Sequence, residues 1–120
     1  MKRVKKAKEK MENVCYTLFV FGLFFSLTDI MTTVCVLNLG ASELNPIMAY
    51  LFDVLGIALA SLLNIAISVL CLLLLLIGTV RLITEHGYRK LGYWYFLPLS
   101  LFVVTRAVSS VNNIFQLAFN

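Results

Sequence analysis

The chain has 120 residues, 61% of them apolar and 13% charged, with a mean hydropathy of +0.93 and a formal charge of +4. A soluble domain runs about half apolar and about a quarter charged, so a water-facing globule, a disordered chain and a disulfide-rich secreted scaffold are excluded. The composition describes an all-α integral membrane protein whose first partner is the lipid bilayer.

Residues 1–12 are a basic arm. Lys2, Arg3, Lys5, Lys6, Lys8 and Lys10 supply six of the ten basic residues. The first span covers 14–37 and carries one charge, Asp29. A cleaved signal peptide does not fit, because its apolar region runs to only about 7–15 residues and would not hold a carboxylate. The segment 38–56 follows, reading NLGASELNPIMAYLFDVLG. Asn45-Pro46 is a helix start, since Asn caps free N–H groups and Pro fits the first helical position. A helix running unbroken from Pro46 to Val80 would be about 52 Å long, beyond the ~30 Å hydrocarbon core. A bend near Gly56, an interfacial helix or a shallow re-entrant helix is therefore expected after the first span. The second span, 57–80, has no charge, and the third, 94–118, has one, Arg106.

Nine of the ten Lys and Arg fall in the arm or in the 81–93 loop, and the 38–56 segment has none. By the positive-inside rule the N-terminus is cytoplasmic and the C-terminus outside. Tyr88, Tyr93, Trp94 and Tyr95 are placed as an aromatic belt at the inner interface. A pI near 9.1 can signal nucleic-acid binding. Here the basic clusters flank apolar spans and no groove-reading motif accompanies them, so no nucleic-acid partner is expected. Cys15, Cys35 and Cys71 form no C-x-x-C and no ligand set with His86. They read as small packing residues at different depths, with no metal site and no disulfide.

Polar and small residues recur at helical spacing on each span. The first carries Gly22, Ser26, Asp29 and Thr33, flanked by Thr32. The second carries Ser61, Asn64, Ser68, Cys71 and Gly78, and the third Thr105, Ser109, Asn112 and Gln116 with Arg106 and Asn113 alongside. Steps of three and four hold residues on one face, and in lipid such faces turn toward protein. Measured from the inner ends, helix rise puts Asp29 roughly 22 Å up, Asn64 roughly 24 Å, Arg106 roughly 18 Å and Asn112 roughly 27 Å. The costly polar groups thus gather in one slab of the outer half. The loop bearing Glu43 and Asn45 caps it. An Asp29–Arg106 ion pair is within reach, because buried charges of this kind seek partners and Arg can offer two donors to a carboxylate.

The stretch D-I-M-T-T at Asp29–Thr33, followed by G-A-S-E-L-N-P at Gly40–Pro46, resembles the D-x-x-T-T…G-x-x-E-x-N-P signature of a small prokaryotic integral-membrane family of unknown function. Asn112-Asn113 is similar to an Asn late in that family's last span. The resemblance covers roughly residues 17–118. It implies a compact three-span protein of a prokaryotic cell membrane. Members of that family carry a lysine in the middle span near the place of Asn64; this chain departs from that pattern, so Arg106 is expected to replace the lysine as partner of Asp29, and a charge-based mechanism does not carry over directly.

Three functions are compatible with these residues. One is binding of an ion or small polar solute by a homo-oligomer, through Asp29, Thr32, Thr33, Glu43, Asn45, Asn64, Arg106, Asn112 and Asn113. A second is a structural or accessory subunit whose stripes dock to another membrane protein. The third is a small intramembrane enzyme acting on a lipid-type substrate with carboxylates alone, since no G-x-S-x-G or H-E-x-x-H motif is present. The sequence assigns neither a catalytic residue nor a cofactor.

Overall fold

The computed structural model describes residues 1–43, 45–86 and 92–119. Helix α1 spans Lys2–Asn38, α2 Pro46–Leu55 and α3 Ile57–His86; a 3-10 turn at Gly92–Phe96 leads into α4, Leu97–Phe119. There is no strand among the described residues. Three segments are long and apolar enough to cross a membrane: Lys2–Asn38, Ile57–His86 and Tyr93–Phe119. The fold class is therefore the expected one, three spans with a short helix after the first.

The basic arm is not a separate segment. It is the first turns of α1, whose 37 residues extend about 55 Å and outrun a bilayer core. Lys, Glu, Ala and Met are strong helix formers, and Lys8 sits 3.9 Å from Glu12 one turn on. At the other end, Asn45 is the N-cap of α2, its side chain accepting from the Ile47 N–H at 3.0 Å, with Pro46 at the first helical position. Glu43 Oε1 accepts from the Asn45 N–H at 2.9 Å, which fixes the approach to that cap. The break between α2 and α3 falls at Gly56, where φ is +82°. That conformation is open to glycine at little cost, so the chain changes direction there rather than running on as one over-long helix.

Helix α1 is the centre of the bundle and packs along both α3 and α4, whereas α3 and α4 touch each other sparsely. Toward the α3–α4 connection the packing is closed. Cys15, Leu72, Ile83, Tyr95, Phe96 and Leu99 form a buried apolar cluster. Gly22 is what lets α3 come close: a Cβ there would stand 2.6 Å from Leu72 Cδ2, a side chain with no exposed surface. Small residues at a helix crossing are the usual route to close contact in lipid. Most other large apolar side chains, among them Val20, Phe24, Leu62, Leu74 and Val108, face outward as a lipid-compatible coat.

Two expectations are revised. Of the aromatic belt, Tyr93 and Trp94 are exposed but Tyr95 is 3% exposed and belongs to the core; Tyr88, like Arg89 and Lys90, lies outside the described residues. The face of α4 packed most closely on α1 is also not the one centred on Thr105 and Asn112, both of which are exposed and border cavities. It is the neighbouring register through Leu99, Arg106, Ser110 and Asn113.

Candidate functional site

The polar residues converge toward the α1–α2 end of the bundle. Asp29, 7% exposed on α1, is at the centre. Arg106 on α4 donates from Nη1 to Asp29 Oδ2 at 2.9 Å. Its Nη2 donates to Ser68 Oγ at 2.6 Å and to Asn64 Oδ1 at 3.2 Å, both on α3. Ser68 in turn donates to Asn64 Oδ1 at 3.3 Å. One guanidinium thus ties all three long helices together. The guanidinium also lies over the Phe102 ring, whose centroid is 5.4 Å from Cζ.

The second carboxylate oxygen is equally occupied. Asp29 Oδ1 accepts from Ser109 Oγ at 2.6 Å and from Asn113 Nδ2 at 3.2 Å. The same Asn113 amide reaches Thr33 Oγ1 at 2.9 Å and Thr32 Oγ1 at 3.1 Å. Thr32 also lies within donating distance of the Thr28 and Asp29 carbonyls, at 2.8 and 3.0 Å. Ser110, 2% exposed, donates within reach of the Phe25 carbonyl across the α1–α4 interface at 3.1 Å. An ionised side chain at membrane depth is tolerated only when its charge and its lone pairs are met, and here both are.

This network is not sealed. Side-chain exposure is 10% for Asp29 and 21% for Arg106, and both border a cavity of about 590 Å³. The cavity fills the gap that α3 and α4 leave between them. Its floor is the Asp29 face of α1. Asn64 and Ser61 line it from α3, Thr105 and Ser109 from α4, and Met48 and Phe52 from α2. Glu43 and Asn45 border it from the connecting loop. A second cavity of about 180 Å³ shares Thr33, Glu43, Asn45 and Ser109 with the first and adds Asn112, Asn113 and Gln116.

Of the residues singled out in the sequence, Asp29, Thr32, Thr33, Asn64, Arg106 and Asn113 meet in one network. Glu43 and Asn45 stand at its edge on the cavities. Asn112 is outside the network, exposed on the wall of the smaller cavity. Ser68, Ser109 and Ser110 carry essential bonds that the sequence did not single out, although Ser68 and Ser109 lie on the polar stripes. Among the described residues no three of His, Cys, Asp or Glu come together as a metal would need, and the three cysteines are free.

Three apolar helices of spanning length, knit by a buried polar network, define a small helical membrane protein. The chain belongs to the DUF5658 family, a domain of unknown function, whose model matches residues 19–118. Neither the curated proteins nor the solved structures contain a match.

Proposed function

We propose that the protein is a membrane-embedded binding protein whose ligand presents hydrogen-bonding groups to the cavity between α3 and α4. One observation carries this reading: polar side chains of all three long helices line a space of about 590 Å³. That volume falls in the usual range of small-molecule sites, about 300–1,000 Å³. A polar solute fits better than a bare cation, because both Asp29 oxygens already have donors. The open edge between α3 and α4 favours a homo-oligomer, in which a second copy flanks the cleft. The same edge would take the helix of a different membrane protein if the chain were an accessory subunit. The distribution of Lys and Arg supports an N-terminus inside the cell, which places the cavity in the outer half of the membrane.

The test is thermal unfolding of the purified protein against a panel of amino acids, amines, sugars and nucleosides. A ligand at a hundred times its Kd stabilises the folded state by about 2.7 kcal/mol. At least one solute is expected to raise the midpoint of the wild-type protein and not that of Thr105→Trp, which fills the cavity without touching the Asp29–Arg106 pair. No stabilisation by any solute of the panel or by a polar single-chain amphiphile, or equal stabilisation of the filled variant, overturns the reading.

A further inference from the structure

The cavity has a direction, and its direction and charge identify the class of ligand. Its end toward the α3–α4 connection is apolar, walled by Leu75, Pro98, Leu101 and Phe102. From Leu75 to Asn64 on α3, and from Pro98 to Ser109 on α4, the helix rise is about 16 Å. Over that distance the lining passes from purely apolar to the Arg106 network and then to the Glu43 loop. A free polar solute has no use for the apolar stretch. An extended amphiphile matches it, tail between α3 and α4 and head among the polar groups. The sparse contact between those two helices leaves the side entry that a molecule already dissolved in the bilayer requires.

Charge fixes the head group. Asp29 and Arg106 neutralise each other. Glu43 is then the uncompensated charge on the cavity: its Oε1 accepts one backbone N–H, and no described cation pairs with it. It borders both cavities. An anionic head would meet a carboxylate with no free cation to offset it. A cationic head restores neutrality and can donate to the remaining lone pairs of the Glu43 carboxylate.

We infer that the ligand is a single-chain amphiphile with an amine head, its ammonium group set against Glu43 and its tail lying along Leu75, Leu101 and Phe102. This rests on the proposed binding function and names the ligand class of the same site. The probe is dodecylamine, titrated onto the protein in uncharged maltoside micelles and followed by native mass spectrometry. Dodecanol, dodecyl sulfate and ethanolamine serve as comparisons. Dodecylamine should bind at least ten-fold tighter than each of the other three. Glu43→Gln should erase the preference over dodecanol, and Leu101→Trp, at the open edge of the cavity where added bulk can be accepted, should weaken dodecylamine about ten-fold. Ethanolamine binding as tightly as dodecylamine overturns the amphiphile and leaves the polar-solute reading standing. Dodecylamine binding that ignores both substitutions is partition into the micelle and overturns the assignment. Binding by none of the four probes also overturns it, and the proposed function then stands or falls on the solute panel.

Discussion

The two ends of the bundle solve the same problem by different means. Toward the α3–α4 connection, α1 and α3 close on each other through Gly22 and Leu72, and the residues between them are apolar and buried. Toward the α1–α2 connection the same helices are joined by Arg106, Asp29, Asn64 and Asn113, with a cavity beside the joint. In lipid, packing alone can hold helices together, so a buried ion pair is not needed for cohesion and its desolvation is a cost. That cost is met at the open end and, among the described residues of the spans, nowhere else, beside the cavity for which binding is proposed.

The comparison can be broken at either end. The largest effect is expected from Asp29→Ala, which strands Arg106 without its counter-charge; loss of one partner of a buried pair costs about 3–5 kcal/mol. The unfolding midpoint should collapse, and the double variant Asp29→Leu with Arg106→Leu should recover most of it. If the double variant is no better than the single, the pair is not the unit described. Next comes Leu72→Ala at the closed end. A cavity of that kind costs about 2–5 kcal/mol, visible in the same unfolding assay, with no change in ligand binding at the other end.

Smaller effects sharpen the register of α4. Asn113→Ala should lower stability by about 0.6–1.7 kcal/mol, the range measured for hydrogen bonds inside membranes, while Asn112→Ala should leave the midpoint unchanged. Equal losses for the two would place the wrong face of α4 inward. The smallest effect belongs to Glu85, whose pair with Arg81 spans 2.8 Å but has half or more of each side chain exposed. Solvent screening makes such pairs weak, and Glu85→Ala should unfold with the wild-type midpoint.

Much of this was legible in the sequence because the bilayer imposes simple rules. Apolar length fixed the three spans, and Asn45-Pro46 and Gly56 fixed the start and end of α2. Helix rise alone put Asp29, Asn64 and Arg106 at one height, and they are in contact. What height could not supply is rotation about the helix axis. Asn112 and Asn113 differ by one residue, about 100° around α4, and each continues a polar or small series at helical spacing. Arg106 held the deciding information: the residue most costly to leave facing lipid must set the inward register, and Asn113 is seven positions, two turns, beyond it. The serines escaped for a different reason. Ser68, Ser109 and Ser110 serve equally as small packing residues and as donors, and only the partner across the interface tells which. The gap between α3 and α4 had no signal in the sequence, since it depends on which helix pairs close on each other.

The central claim is that the space beside Asp29 and Arg106 is open to polar molecules. Thr105 lines that space and bonds only the Leu101 carbonyl of its own helix. Val104, one residue away at the same depth, is 57% exposed on the lipid-facing coat. In a background lacking Cys15, Cys35 and Cys71, Thr105→Cys and Val104→Cys are each treated with a charged, membrane-impermeant thiol reagent in membrane fragments open on both faces. The cavity predicts rapid labelling of Thr105→Cys and none of Val104→Cys; two unreactive thiols, or two that react alike, would contradict it.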